Sequence, residues 1–354
     1  MEITLLLASL ALLMVVINSL TIRVIKDVPV QISHGVSVLI PMRNEEENAR
    51  NCLTGVVNQQ GLTNYEILVL DDNSIDKTSE EVRGFSQVRL IAGSNPPEKW
   101  LGKLWACQQL FEASQNEYLV FLDADVRLSK NAIASSIAKM QDWDFISPYP
   151  RQLTVGFVQK IFQPLLQWSW LASVPLFIAQ RFSIKSMAVA NGQFLIVKRD
   201  AYLNAGGHAS VKTEVLDDLM LARQLLDKGF KGGVAEASKV ANCHMYKGAQ
   251  DLFKGYQKSL WKAFGSAFGS ITAIFLLVVT GLIPLALTVA GSNLGLIAFL
   301  LVFLSRVISS LRTGALPNTA ILHPFSIILL IGLIVYSWFG RLTQTLTWRD
   351  RSLI

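Results

Sequence analysis

The run VSVLIP, residues 36–41, followed by the amphipathic stretch 46–58, is the first strand and helix of a repeating pattern. Three more short β-rich runs follow, with a second helical stretch at 104–114 before the last of them: YEILVL (65–70), VRLIA (88–92) and YLVFL (118–122). Strands that alternate with helices predict an α/β fold with a mostly parallel, Rossmann-like sheet covered on both faces. In such sheets ligands bind beyond the carboxyl ends of the strands.

Long apolar blocks lie outside this region. Of the 354 residues, 51% are hydrophobic and only 16% are charged, which is too apolar for an ordinary soluble domain. Blocks at 3–22, 271–291, 294–308 and 320–339 are mostly long enough to cross a hydrocarbon core of ~30 Å as helices. We therefore predict an N-terminal transmembrane anchor (1–24), a soluble domain (35–268) and C-terminal transmembrane helices (269–354).

Basic residues flank the apolar blocks and form no dense run, so the net charge of +6 does not favour a nucleic-acid partner. Arg23 and Lys26 follow the first block, and Lys254, Lys258 and Lys262 precede the second. Because positive residues stay on the cytoplasmic side, this pattern predicts a multi-pass cell-membrane protein whose soluble domain is cytoplasmic.

Two apolar segments complicate the topology. Residues 157–180 contain Pro164, Pro175, Trp168 and Trp170, which favours a broken helix region in the membrane interface, and a buried core helix is the alternative. Three late crossings would leave Arg341 outside, against the charge rule. We therefore expect one late block not to cross fully, and 294–308 is the shortest.

The stretch YLVFLDADVR, residues 118–127, ends a strand with Asp123 and Asp125. Side chains two residues apart can point to the same side, and two crowded carboxylates repel each other unless a cation or protons intervene. Hard divalent cations such as Mg²⁺ or Mn²⁺, shared with substrate phosphates, prefer such oxygen ligands. Taken alone, the pair fits a solvated turn somewhat better than a metal site.

Two further polar positions occur where elements begin or end. Asp71 and Asp72 close a second strand, whereas Asp76 fits a turn or cap before the next helix. Lys103 follows a glycine at a helix start, where backbone N–H groups favour an anion, so it is a candidate for binding a diphosphate. A lysine that simply faces solvent is the alternative.

Six segments together, in this order, resemble family 2 glycosyltransferases of the GT-A fold: VSVLIPMRNEEENARNCLTGVVNQ, YEILVLDDNSIDKT, GKLWACQQ, FLDADVRL, NGQFLIVKRDAYLNAGGH and VLDDLMLARQLLDKGF. The resemblance spans about residues 36–268. With the flanking apolar blocks and the terminal TLTWRDR (345–351), the chain is similar to the membrane-bound branch. That branch includes hopene-associated and diaponeurosporenoate glycosyltransferases and ceramide glucosyltransferase.

The resemblance implies a role for each matching residue. The nucleotide pocket would be lined by Pro41, Arg43, Glu45 and Asp72, with Lys103 near the diphosphate. Asp123 and Asp125 match the D-x-D motif that holds a divalent metal, Mg²⁺ or Mn²⁺, and Asp123 would also contact the donor. Asp217 and Asp218 match an acidic pair at a helix start whose second member is the general base.

The reaction explains why such groups are needed. Negative charge builds on the leaving oxygen of the nucleotide diphosphate, and the acceptor hydroxyl needs a carboxylate to remove its proton. Asp218 is the predicted base, with Asp217 beside it and Glu214 as a substitute. A single displacement inverts the anomeric centre. Asp217 and Asp218 as simple first-turn helix acids are the alternative.

One position departs from the family pattern, and three others have open roles. In QKSLW, Gln257 to Trp261, Leu260 stands where many relatives have arginine before the tryptophan. Gln257 and Trp261 are still expected near the acceptor, and this departure weakens a processive-polymerase interpretation. His208 is expected either to touch the acceptor or phosphates or to make a structural hydrogen bond.

The predicted function is the transfer of a hexose from a nucleotide sugar to a lipid of the bilayer, with inversion at the anomeric carbon. Glucose is the preferred hexose and UDP the preferred nucleotide. Carotenoids, hopanoids and other glycolipid precursors are all possible acceptors. The alternatives are a polyprenyl-phosphate sugar transferase and, from a different class, a catalytically silent membrane scaffold or sugar-nucleotide sensor. Retention of Asp72, Asp123, Asp125 and Asp218 together argues against the silent form.

Overall fold

The structure is a computed structural model that describes residues 1–348 and 351–352, so Arg349 and Asp350 of the terminal motif lie outside the described residues. The chain divides into two compact units. Residues 22–151 and 178–244 form the sheet unit, and residues 1–21, 152–177 and 245–354 form the helical unit.

The strands are β1 (Val36–Met42), β2 (Tyr65–Asp71), β3 (Val88–Ala92), β4 (Tyr118–Leu122), β5 (Val126–Leu128), β6 (Phe145–Tyr149), β7 (Arg151–Gln152), β8 (Phe194–Lys198), β9 (Gly232–Glu236), β10 (Ala241–Cys243), β11 (Thr347–Trp348) and β12 (Arg351–Ser352). The α-helices are α1 (Glu2–Thr21), α2 (Glu46–Val57), α3 (Thr78–Arg83), α4 (Gly102–Ala113), α5 (Ala132–Met140), α6 (Phe157–Ser173), α7 (Leu176–Arg181), α8 (Arg199–Asn204), α9 (Asp217–Asp227), α10 (Ala249–Gln257), α11 (Leu260–Ala263), α12 (Ala267–Leu277), α13 (Ile283–Val289), α14 (Asn293–Thr313) and α15 (His323–Leu342). Short 3₁₀ turns span Lys185–Met187, Gly207–Val211 and Pro317–Leu322, and Val278–Leu282 forms a π-helical turn.

The central sheet of the sheet unit has the strand order β3-β2-β1-β4-β8-β6-β9. Its neighbouring strands are parallel except for β8, which is antiparallel to both β4 and β6. The predicted α/β fold with a mostly parallel sheet is confirmed. Since β1, β2 and β4 are adjacent and parallel, the loops after their carboxyl ends meet at one edge.

The core of the sheet unit lies between the sheet and the helices that cover it. Leu104, Cys107 and Leu110 of α4 and Leu221 and Leu225 of α9 pack with buried residues of β1, β2, β4 and β8. Burial of apolar surface is the main stabilising term here, at roughly 25 cal/mol per Å². This packing fixes the first turns of α4 and α9, and therefore Lys103 and Asp217, on a rigid base.

The helical unit contains four helices long and apolar enough to cross a membrane: Glu2–Thr21, Ala267–Val289, Asn293–Thr313 and Pro317–Leu342. All three late segments are long enough to cross, and the expectation that one of them does not cross fully stays a prediction. The segment that contains block 294–308 is the shortest of the three, as expected, with 21 residues against 23 and 26. Its apolar run stops at Ile308, but the helix continues through Ser309, Ser310 and Thr313, which are buried in the unit.

Helix α6 is packed inside the helical unit, against α1, α14 and α15. Its Gln159, Gln163 and Gln167 are all buried, although a helix lying in the interface would turn such residues to water. Asn18 of α1 holds the end of α6, because its side-chain amide donates to the carbonyl oxygens of Leu171 and Val174. This packing is what the core-helix alternative expects, and an interfacial location stays a prediction.

Candidate active site

One pocket in the sheet unit collects residues from three strand ends and two helix starts. Pro41 and Gly192 line it together with the polar residues Lys103, Asp123, His208, Asp217 and Asp218. Apolar side chains that include Cys107, Phe121 and Leu221 form its base. The pocket therefore unites six of the twelve predicted site residues, which are up to 177 positions apart in sequence, from Pro41 to Asp218.

Lys103 and Asp123 form an ion pair in this pocket. The Lys103 Nζ lies 2.7 Å from Oδ1 and 2.9 Å from Oδ2 of Asp123, and each side chain is 24% exposed. Burial alone would lower the pKa of Lys103, but the Asp123 and Asp217 carboxylates hold it well above its usual value. The lysine is therefore a permanent cation in the pocket, and the solvent-facing alternative does not apply.

Asp125 carries an unsatisfied carboxylate oxygen. Its Oδ1 is buried and has no hydrogen-bond partner among residues 1–348 and 351–352. Burial raises the pKa of Asp125 to about 7, and the Asp123 and Glu45 carboxylates add to this, whereas Lys103 and a contact with the Cys243 thiol oppose it. A buried carboxylate without a donor is costly, so this oxygen fits a role as a cation ligand.

The carboxylates that could hold a divalent cation are the D-x-D pair, Asp123 and Asp125. Within the described residues, no set of three His, Cys, Asp or Glu side chains stands ready to hold a metal alone. A hard cation such as Mg²⁺ or Mn²⁺ usually takes only one or two protein carboxylates and completes its shell with water and substrate phosphates. The residues present therefore fit a cation that is bound together with a diphosphate.

The loops after β1 and β2 are joined by hydrogen bonds. Arg43 donates from Nη1 to the carbonyl oxygen of Asp72, whose side chain is 4% exposed. The Asp71 carboxylate instead accepts the Ser74 N–H at 3.0 Å and the Ser79 hydroxyl. Asp71 is thus a turn former, which corrects the grouping of Asp71 with Asp72, while Arg43 and Asp72 stand together beside the pocket strand β1.

Glu45 is the residue before α2 and has structural contacts of its own. Its Oε2 accepts the side-chain amide of Asn48 at 2.8 Å, and its backbone N–H donates to Thr78 Oγ1 at 2.7 Å. Its carboxylate is close enough to raise the pKa of Asp125. The structure therefore places Glu45 next to the D-x-D aspartates.

Asp217 and Asp218 begin α9, as the sequence predicted. Asp218 Oδ2 accepts the Gly192 N–H at 2.8 Å and Oδ1 accepts the Leu219 N–H at 2.7 Å. Burial raises the pKa of Asp218 to about 6 and the adjacent Asp217 contributes, while both N–H groups and Lys103 lower it. A carboxylate with this pKa is ionised at neutral pH and basic enough to accept a proton, as a general base requires.

His208 has a structural role in addition to lining the pocket. Its Nδ1 lies 2.6 Å from the hydroxyl oxygen of Tyr202, and its backbone N–H donates to the same oxygen at 3.0 Å. Burial and the nearby Lys103 lower the pKa of His208 to about 3. His208 is therefore a neutral imidazole at physiological pH, and the structural hydrogen bond that the sequence left open is present.

Gln257 and Trp261 belong to the helical unit. The backbone N–H of Trp261 donates to Ser337 Oγ at 2.8 Å, and the Arg341 guanidinium lies 4.9 Å from the centre of the Trp261 ring. The Ser337 hydroxyl also donates to the Gln257 carbonyl oxygen. These contacts hold both residues against α15. Their expected role near the acceptor stays a prediction.

Sequence reasoning overlooked the loop before β8. The Gln193 carbonyl oxygen accepts the Asp123 N–H at 2.9 Å, and the adjacent Gly192 supports Asp218. A Cβ atom on residue 192 would lie 3.1 Å from the Asp218 Cβ, so a side chain at this position would shift Asp218 by a few tenths of an ångström. The motif NGQFLIVKRDAYLNAGGH contains the signal, but nothing in a linear sequence shows that its second residue reaches Asp218.

Comparison with known proteins agrees with this architecture. The glycosyl transferase family 2 model matches residues 37–204. A 4,4'-diaponeurosporenoate glycosyltransferase of Staphylococcus aureus is 24% identical over 317 residues, which are 86% of this chain and 84% of the relative. Among solved structures, the mannosyltransferase PcManGT of Pyrobaculum calidifontis, in complex with GDP-Man and Mn²⁺, superposes with a TM-score of 0.56 at 16% identity and covers 96% of this chain and 98% of that one.

Fold, pocket and relatives together define the class: the protein is a glycosyltransferase with a GT-A fold. Residues 37–204 form a glycosyl transferase family 2 domain. The suspected family resemblance is therefore confirmed.

Proposed function

We propose that the protein transfers a hexose, glucose, from UDP-glucose to a hydroxyl or carboxyl group of a membrane lipid, with inversion at the anomeric carbon. The relative named for diaponeurosporenoate, a carotenoid acid, supports a lipid acceptor. The helices long enough to span a membrane support a membrane location, with the sheet unit on the cytoplasmic side.

The observation that carries the proposal is the position of Asp218. Its carboxylate is held by two backbone N–H groups in the same pocket as Lys103 and Asp123. Since both N–H donors are fixed, the carboxylate is oriented before an acceptor arrives, which favours proton removal. Burial raises the pKa of Asp218 and the Asp217 carboxylate contributes, so Asp218 is a stronger base than an ordinary aspartate.

Lys103 and the D-x-D aspartates would bind the donor diphosphate. Lys103 offers a permanent positive charge to the developing oxyanion, and Asp123 orients that lysine through the ion pair. Asp125, with Asp123, would hold Mg²⁺ or Mn²⁺. When bound, such a cation supplies charge neutralisation for the leaving diphosphate.

The nucleoside would lie against the loops after β1 and β2. Asp72 is a hydrogen-bond acceptor for the uracil or ribose, and Arg43 keeps its loop in place by donating to the Asp72 carbonyl oxygen. Pro41 lines the pocket between these loops and Lys103, and Glu45 stands on the side of Asp125. This arrangement supports a nucleotide-sugar donor, and we propose that its nucleotide is UDP.

The test uses the full chain purified in detergent, with radiolabelled UDP-glucose, Mn²⁺ or Mg²⁺, and a total lipid extract of the source cell. We expect a labelled glycolipid that mass spectrometry identifies and whose linkage is β. Asp218→Asn should reduce transfer at least about a hundredfold while donor binding measured by calorimetry persists. Asp227→Asn, at the exposed end of the same helix, is the matched control and should keep full activity.

Two outcomes would contradict the proposal. If the protein neither transfers a sugar from any nucleotide sugar nor binds one, the proposed transferase reaction is wrong. Little loss in Asp218→Asn would instead indicate the polyprenyl-phosphate alternative, because a phosphate acceptor is already anionic and needs no base.

A further inference from the structure

A buried arginine without an anionic partner lies in the helical unit. Arg306, in α14, is 1% exposed, and none of its three guanidinium nitrogens has a hydrogen-bond partner among the described residues. It forms no ion pair there either, and α6, α14 and α15 contain no Asp or Glu in their sequences. Because α14 is apolar enough to span a membrane, an unpaired charge in it costs several kcal/mol and calls for a counter-ion.

Unpaired polar groups surround this arginine. His323 of α15 is 2% exposed, and both its ring nitrogens lack partners within the described part of the chain. Trp168 of α6 joins the two, since its ring lies 5.9 Å from the Arg306 Cζ and 4.9 Å from the His323 ring. We call Arg306, His323 and Trp168 the Arg306 cluster. Trp168 is fixed by its indole N–H, which donates to Ser305 Oγ at 2.8 Å.

The same helices carry more unsatisfied groups. The side-chain amides of Gln159 and Gln163 on α6 are 1% exposed and have no partners among residues 1–348 and 351–352. Ser309, one turn after Arg306, has a buried hydroxyl in the same condition. Buried polar groups are almost always satisfied, so several on adjoining helices indicate an absent ligand rather than independent defects.

The chemistry of the cluster selects that ligand. A guanidinium is permanently charged and donates only, and its planar fork matches two oxygens of a carboxylate or a phosphate. The histidine and the glutamine amides add further donors to the same helices. A cation or a neutral apolar molecule would leave the arginine unpaired. The ligand is therefore an anion with several oxygen atoms.

The location indicates where this anion comes from. The cluster lies among helices that can span a bilayer, where membrane lipids are the nearest source of an anionic group attached to apolar chains. The π-helical turn Val278–Leu282 brings Gly281 next to His323, where a Cβ would lie 3.3 Å from Nε2 and 2.5 Å from the Ile327 Cγ1. π-turns of this kind frequently occur at functional sites, and the glycine lets this turn pack closely against His323 and Ile327.

We propose that the Arg306 cluster binds the anionic head group of a membrane lipid, through a carboxylate or phosphate paired with Arg306. This binding is independent of the sugar-transfer reaction, and its test uses no donor sugar. Phosphatidylglycerol is the probe, and phosphatidylcholine, whose head group has no net charge, is its control. Sodium phosphate distinguishes a lipid head group from a small free anion.

The experiment compares delipidated full-length wild type with Arg306→Met and with Arg341→Met. Arg341 is the matched control because it is a cation of the same unit whose guanidinium instead packs on Trp261. Lipid retention is measured by native mass spectrometry and unfolding by a thermal melt. We expect wild type to retain one phosphatidylglycerol per chain, Arg341→Met to do the same, and Arg306→Met to lose retention at least about tenfold.

The melting temperatures are a second readout, and the substitution of Arg306 should change them in opposite directions without and with lipid. Without lipid, Arg306→Met should melt above wild type, because it removes an unpaired buried charge. Phosphatidylglycerol should then raise the melting temperature of wild type but not that of Arg306→Met. Arg306→Lys keeps the charge without the planar fork, so it should fold and show an intermediate shift.

Several results would overturn the proposal. Equal phosphatidylglycerol shifts in wild type and Arg306→Met, or equal shifts with phosphatidylcholine, would show that the cluster does not recognise the anion. The same stabilisation by sodium phosphate alone would show that the ligand is a small anion and not a lipid. Failure of both Arg306→Met and Arg306→Lys to fold without lipid would show that the arginine is a structural requirement.

Discussion

The two D-x-D aspartates are expected to have opposite effects on stability although both are needed for turnover. Asp125 has a buried oxygen, Oδ1, that no donor among the described residues reaches, whereas Asp123 neutralises Lys103. Replacing each by asparagine removes the same charge from the same loop. We expect Asp125→Asn to stabilise the metal-free protein and Asp123→Asn to destabilise it, with transfer lost in both.

The magnitude for Asp125 follows from its pKa, which is raised from 3.8 to about 7. A difference of about three pKa units corresponds to at most about 4 kcal/mol at 1.36 kcal/mol per unit. Since the pKa of Asp125 is raised in the folded state, the contribution of this group to the free energy of unfolding is fully present below its unfolded-state pKa. This contribution is lost as the pH rises through about 7. The gain from Asp125→Asn should therefore be largest near pH 8 and vanish near pH 4.

The magnitude for Asp123 follows from its ion pair. Asp123→Asn leaves the mostly buried Lys103 ammonium without its main partner, and breaking such a pair costs up to about 3–5 kcal/mol. The nearby Asp217 carboxylate still attracts Lys103 and reduces this cost. We expect a loss of about 2 kcal/mol.

The assay is thermal unfolding of the full chain in detergent with EDTA, repeated at several pH values. Asp227→Asn is the exposed control and should change little. UDP with Mn²⁺ should stabilise wild type but neither D-x-D variant, since a ligand stabilises only the state that binds it. If Asp125→Asn were less stable than wild type at pH 8, its carboxylate would be satisfied by protein contacts, and the reasoning that assigns it to a cation would be wrong.

Three other predictions concern the base and the pocket wall. With saturating donor, kcat should fall tenfold per pH unit below about pH 6, because protonated Asp218 cannot accept a proton, and a pH profile that stays flat to pH 5 would contradict this. Gly192→Ala should lower kcat by about tenfold to a hundredfold with donor affinity unchanged, because the Cβ of the alanine would displace Asp218. Steady-state kinetics with varied UDP-glucose measures both kcat and the donor affinity. Tyr202→Phe should lower the free energy of unfolding by about 1–3 kcal/mol, because the Tyr202 hydroxyl is the partner of both the ring Nδ1 and the backbone N–H of the buried His208. An unchanged denaturation midpoint would refute this prediction.

Much of the sheet unit follows from local sequence pattern. The β-rich runs at 36–41, 65–70, 88–92 and 118–122 all became strands, since strand period and turn residues are local properties. The antiparallel β8 did not follow, because its partner strands are decided by how the chain returns to the sheet. The same limit applied to Asp71, whose turn contacts with Ser74 and Ser79 depend on loop conformation.

The sequence by itself determined the α/β alternation, the apolar blocks and the ordered acidic motifs, because each depends on residues close together in the chain. Only the tertiary structure decided that Gly192 supports Asp218, that Lys103 pairs with Asp123 and that Asp125 keeps a free buried oxygen. It also brought Arg306, His323 and Trp168 together from three helices. Burial and pairing decide whether a charged side chain is a structural contact or a site, and both arise from contacts between residues far apart in sequence.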